Sequence, residues 1–74
     1  MITREACGRN KLPGTVTEVR IEGLMAQISI RAGDNHITAL ISAEAAKEMG
    51  IKVGDQAVAL VKATSVMIIK PETP

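Results

Sequence analysis

The chain contains no tryptophan, tyrosine or phenylalanine. Without aromatic faces there is no stacking platform for single-stranded nucleic acid, and a core must be built from Val, Ile, Leu, Met and Ala. One cysteine, Cys7, leaves no internal disulfide and no sign of an oxidising compartment. The formal net charge is only +1, with acids and bases interspersed, so the basic stripe that long nucleic acid requires is missing. No apolar run is long enough to span a bilayer, and residues 1–10 (MITREACGRN) lack a signal-peptide core. Cytoplasmic placement, with no membrane and no nucleic-acid partner, is the expectation. Repeats, linkers and low-complexity tracts are also absent, apart from a PETP tail at 71–74 that is expected to fray.

What is present is aliphatic. Seventy-four residues make one domain, 1–74, near the lower limit for a self-supporting core. Hydrophobic residues at 46% exceed what a barrel this small can hide, so some of that surface is expected between subunits. Residues 57–70 (AVALVKATSVMIIK) carry the densest apolar pattern, with Val58 and Leu60 on one parity and Ala57, Ala59 and Val61 on the other. Such a strand needs cover on both faces. Lys62, Thr64 and Ser65 interrupt it together, offering an anion one positive charge and two hydroxyl donors.

In chain order, 11–21 reads as a strand with Thr15, Thr17, Val19 and Ile21 on one face and Val16 on the other. Pro13-Gly14 predicts an edge position or a bulge near its start. Residues 24–31 alternate cleanly, with Leu24, Ala26, Ile28 and Ile30 inward, and 36–41 form a third strand after a Gly33-Asp34-Asn35 turn. Ser42 caps a short helix over 43–49 that stops at Gly50. Two more strands are predicted, 56–62 and 65–70. Three strands, a helix and two strands is the element order of a five-stranded OB-like barrel, all-β with one short helix.

Catalytic signals are missing. There is no Ser/His/Asp set, no carboxylate pair in apolar surroundings and no Walker-type loop. The lone His36 reads as a solvated strand-end residue, and Cys7 has no base partner. One Cys and one His do not make a tetrahedral metal set. No enzyme activity, cofactor or bound cation is expected. Two segments stand out instead: Cys7-Gly8-Arg9-Asn10 and Lys62-Ala63-Thr64-Ser65. Each sets a cation beside small residues whose backbone amides can form a concave anion nest. Arginine adds a planar fork of donors and lysine a compact charge.

The run Gly8-Arg9-Asn10-Lys11-Leu12, then Gly14-Thr15-Val16, resembles the opening of the Mop-like molybdate-binding TOBE domains, the molbindin family. Its usual opening is Ser-(Ala/Gly)-Arg-Asn. Further similarities are Thr38-Ala39-Leu40-Ile41-Ser42, the helix end Lys47-Glu48-Met49-Gly50, and the close Ala59-Leu60-Val61-Lys62-Ala63-Thr64-Ser65-Val66-Met67. Together they span about residues 6–69. The resemblance implies an OB-like domain that exchanges its first strand with a partner. It also implies a homo-oligomer, a hexamer built as a trimer of dimers, that binds molybdate or tungstate between subunits. Carried onto this chain, the oxyanion-binding residues are Cys7, Gly8, Arg9, Lys62, Ala63, Thr64 and Ser65, with Ser42 at the helix N-cap as a further hydroxyl.

The implied role is intracellular storage or homeostasis of the oxyanion. The alternative is an oligomeric regulatory or interaction module whose anion site is weak or lost. An OB-type nucleic-acid binder ranks last on charge and absent aromatics. Two departures from the family pattern stand out: Ala45, where some relatives carry a helix hydroxyl, and Cys7, where the family carries serine. A thiol is the weaker donor. Cys7→Ser is therefore expected to tighten oxyanion binding or leave it unchanged in a calorimetric titration; marked weakening would give the thiol a role of its own.

Overall fold

The computed structural model describes residues 9–72, which form one curled antiparallel sheet and a short helix. The strands are β1 (Arg9–Glu22), β2 (Met25–Ala32), β3 (Asn35–Ser42) and β4 (Gln56–Lys62), and α1 (Ala43–Met49) lies between β3 and β4. The sheet order is β3-β2-β1-β4, with every pairing antiparallel. Among the described residues no helix is long and apolar enough to cross a membrane.

β1 serves two partners. Its first half pairs with β4, Arg9 opposite Lys62 through Thr15 opposite Gln56. Its second half pairs with β2, Thr15 opposite Arg31 through Glu22 opposite Met25. Thr15 belongs to both ladders. Just beyond it the register shifts between Val16 and Glu18, so that Thr17 is the extra residue of a bulge. The Thr17 hydroxyl donates to the Ser29 carbonyl at 3.3 Å.

This bulge corrects the predicted facing of β1. Strict alternation puts Val16 opposite Val19, but one extra residue flips the parity. Val16 is 1% exposed, the best-buried large side chain, and it shares the core with Ala26, Ile28, Ile30 and Ala46. Val19 packs against the same cluster. The bulge predicted at Pro13-Gly14 thus lies three residues further along. Gly14 matters in another way, because a Cβ there would overlap the Arg31 carbonyl and sit 2.7 Å from Ile30 Cγ2. Only a bare α-carbon lets β1 cross β2 this closely. Val16 is held from outside too, donating to the Asp55 carbonyl at 2.9 Å and accepting from Gly54 at 2.8 Å.

β2 buries Ala26, Ile28 and Ile30 as its alternation predicts. Leu24 does not follow them; it lies in the turn before the strand and is 86% exposed. Its carbonyl has a use, accepting from the Ala43 amide at 2.8 Å and tying the first helical residue to the β1–β2 turn. α1 matches its sequence signals. The Ser42 hydroxyl accepts from the Ala45 amide, and Gly50 ends the helix in the left-handed region at φ 62°. Ala43 and Ala46 face the sheet.

The predicted fifth strand does not form within the chain. After β4, residues Ala63–Ser65 make a 3-10 turn, and 66–72 run on without a strand partner. Val66 to Ile69 are apolar, yet Met67, Ile68 and Ile69 are more than 80% exposed. A strand oily on both faces gains nothing from extending along its own sheet edge into water. Within this chain β1 is paired with both β2 and β4. Of the 71–74 tail, Thr73 and Pro74 lie outside the described residues.

Gly14→Ala is expected to destabilise the fold by about 1–3 kcal/mol, the usual range for overpacking a filled site. A urea melt checks it. Gly23→Ala, where the added carbon meets nothing and only the positive φ matters, should cost less.

Candidate functional site

The β1–β4 ladder joins the two donor-rich segments that the sequence singles out. Arg9, the first described residue of one, is the direct cross-strand partner of Lys62, which opens the other. Directly opposed side chains project from the same face of a sheet. Lys11 lies two residues on and shares the parity of Arg9, so three cations stand on one face: Arg9, Lys11 and Lys62. All three are exposed. Among the described residues the single ion pair is elsewhere, Arg20 to Glu18 at 3.1 Å. Like charges placed opposite one another destabilise a ladder, and an anion between them reverses the sign of that interaction.

Asn10 steadies the arrangement. Its Nδ2 donates across the ladder to the Val61 carbonyl at 3.2 Å, which holds the start of β1 against the end of β4. Lys62 then leads directly into the 3-10 turn Ala63–Ser65, closed by Val66 donating to the Ala63 carbonyl at 3.4 Å. The first amides of a helical turn have no partner inside it, and no side chain caps this one. Free amides, the Thr64 and Ser65 hydroxyls and the Lys62 ammonium are thereby gathered at one end of the sheet, beside Arg9. Ala63 keeps the approach to those amides open.

Not every expected residue is brought here. Cys7 and Gly8 lie outside the described residues. Ser42 is at the far end of the sheet: it pairs with Met25, which pairs with Glu22 at the opposite end of β1 from Arg9. Its hydroxyl oxygen already accepts from Ala45 at 3.0 Å, though the hydroxyl proton remains free to donate. Lys11, part of the opening run but not one of the expected oxyanion-binding residues, is a further member of the cluster. A signal for it exists, since once Arg9 begins a strand, the residue two positions on shares its face.

A sizeable cavity among the described residues lies somewhere else. A cleft of about 720 Å³ opens on the inner side of the curled sheet between β3 and β4, lined by Ile28, Ile30, Ile37, Ile41 and Ile51 among others. It carries no lysine or arginine and one carboxylate, Asp55. An anion would meet Asp55 there and no cation, with only the neutral Thr38 and Gln56 as polar side chains beside it, so volume is a poor guide to the chemistry. Among the described residues no cluster of His, Cys, Asp and Glu could hold a metal cation.

The profile of the TOBE domain family matches residues 7–68. This chain is a member of the TOBE domain family. Among its relatives is molybdenum-pterin-binding protein 2 of Clostridium pasteurianum, 39% identical over 62 residues that cover 82% of this chain and 91% of that protein. Solved structures give the same picture. MopII from Clostridium pasteurianum superposes with a TM-score of 0.81 at 35% identity, covering 95% of this chain and all of that one. A molybdate-binding protein from Sporomusa ovata superposes with a TM-score of 0.82 at 35% identity, over 85% and 94% of the two chains. The mostly-β, single-helix OB-like class predicted for this TOBE chain is that of these neighbours.

Removing the N-cap tests whether Ser42 supports the fold as well as any ligand. Ser42→Ala is expected to lower stability by about 1 kcal/mol, read as a shift in the thermal or denaturant midpoint without oxyanion present.

Proposed function

We infer that this TOBE domain is a cytoplasmic molybdate- or tungstate-binding protein that stores or buffers the anion and catalyses no reaction. One observation carries the reading: Arg9 and Lys62, from the two donor-rich segments, stand opposite each other in the β1–β4 ladder beside the uncapped Ala63–Ser65 turn. A tetrahedral dianion suits that set. Arginine supplies paired N–H donors and lysine a point charge, while amides and hydroxyls orient the remaining oxygens. Relatives and neighbours whose names specify molybdenum or molybdate support the choice of ligand.

Charge cannot separate molybdate from sulfate, which has the same shape and charge, so selection rests on size. A larger oxyanion reaches the fork of Arg9 and the amides of the turn together; a smaller one leaves some donors without an acceptor, at the cost of an unmade hydrogen bond. The set within one chain is open and exposed. Its closure falls to a neighbouring copy, which supplies Cys7, Gly8 or Ser42 to a site between subunits of a homo-oligomer, the hexamer built as a trimer of dimers. Ser42 lies at the opposite end of its own sheet from Arg9, so it serves such a site only from another copy.

The exposed apolar side chains favour one other reading, an oligomeric regulatory or interaction module with a weak or lost anion site. A single experiment separates the two. The assembly is loaded with molybdate or tungstate, passed through gel filtration and scanned in the near ultraviolet, where a chain without Trp or Tyr is nearly transparent. Titration calorimetry on the same sample should show heat for molybdate or tungstate and little for sulfate. Arg9→Gln and Lys62→Gln should each weaken binding about 10–100-fold, the loss of one charge-assisted hydrogen bond of about 1.5–3 kcal/mol. An intact assembly that stays empty in excess of both oxyanions would leave only the interaction module.

A further inference from the structure

The face that carries Arg9 and Lys62 holds one cation more than a dianion requires. Lys11 follows Arg9 by two residues and stands diagonally across the ladder from Lys62. Diagonal neighbours in an antiparallel pair lie about 7–8 Å apart, within reach of long side chains. Arg9, Lys11 and Lys62 can therefore turn toward one point above the ladder. No carboxylate dilutes them there, since residues 9–15 and 56–62 contain neither Asp nor Glu. Directly across from Lys11 is Leu60, which offers the ammonium no acceptor. Among the described residues Lys11 takes part in no ion pair.

Two cations balance a tetrahedral dianion, and the third is left over. A surplus lysine contributes little to shape or size, because it is a hydrated point charge on a flexible stem. What it reads is charge. Coulomb energy scales with the charge of the guest, so each added cation favours a dianion over a monoanion of the same outline. Repulsion within the empty ladder works in the same direction. A dianion leaves one positive charge of this set uncompensated, and a monoanion leaves two.

We propose that Lys11 sets the charge selectivity of this site, favouring tetrahedral dianions over monoanions of the same size. It acts through space from the rim, without a fixed bond to the ligand. The proposal rests on the anion site inferred above and adds a second filter to it. Size, read by Arg9 and the turn amides, separates molybdate from sulfate. Charge, read with Lys11, separates molybdate and tungstate from singly charged oxyanions. Perrhenate is the sharpest case, having the shape of tungstate and nearly its size with one negative charge fewer. Exposure suits the task, since a lysine that stays hydrated exerts its field without a desolvation cost.

The test is a competition titration on the full chain. Tungstate binding is measured by calorimetry with and without perrhenate, for the wild type, Lys11→Gln and Lys11→Arg. Because guest charge enters linearly, Lys11→Gln should weaken tungstate about tenfold and perrhenate only about threefold at low salt. The preference for tungstate therefore narrows about threefold, and Lys11→Arg, which keeps the charge, should retain the wild-type preference. In about 1 M salt, where the screening length falls to about 3 Å, the wild type and Lys11→Gln should converge. Without oxyanion, Lys11→Gln should melt no lower than the wild type, since it removes a like charge from the ladder; weaker binding is then not loss of fold. An unchanged preference in Lys11→Gln overturns the proposal. So does a loss of tungstate affinity that persists in high salt, which would make Lys11 a direct ligand. A wild-type chain that binds neither anion refutes the site itself, whereas tungstate binding with equal losses for both guests refutes only the charge filter.

Discussion

The structure depends on one strand being shared between two ladders. β1 pairs with β4 over its first half and β2 over its second, and the hand-over at Thr15 bends the sheet back on itself. Gly14 allows the crossing because nothing larger than hydrogen fits beside Arg31 and Ile30. Val16 then seals it as the best-buried large side chain. The curl has two products. It brings β3 and β4 to opposite sides of one cleft, and it leaves the cation-bearing ends of β1 and β4 free of the core.

Those ends show that cations can be gathered on one face without burial. Arg9, Lys11 and Lys62 are exposed, and register alone brings them together. Water and salt screen such a cluster until a ligand or a neighbouring subunit displaces them. Preorganisation therefore lies in the backbone: the Asn10–Val61 hydrogen bond, the ladder itself and the short turn after Lys62.

The legible features are those governed by neighbours in sequence. The Ser42 cap, the Gly50 stop and the inward alternation of Ala26, Ile28 and Ile30 are local consequences of side-chain chemistry, and all are found. The pairing of Arg9 with Lys62 within one chain is not legible: the resemblance implies donors brought together between subunits, and no local pattern connects residues so far apart in the chain. Two features escape for the same reason. The facing of Val16 depends on a bulge whose partner residues belong to another strand, and the state of 66–69 depends on what covers it, which the chain alone does not supply. Leu24 shows the converse: its alternation is correct, but its place in a turn leaves it no neighbour to pack on.

The extra residue at Thr17 has a bearing beyond local shape. It acts as a half-period phase shift along β1: behind it, odd-numbered positions such as Val19 turn to the core, and ahead of it the even-numbered Val16 does. Removing a single residue between Val16 and Glu18 would restore one phase to the whole strand. Val16 and Val19 would then stand two positions apart on the same core face, and Arg9 and Lys11 would keep their outward facing, so that only the local bend is lost. The extra residue is thus a hinge in shape, bending β1 where it passes from β4 to β2 while both halves keep their apolar side chains on the core.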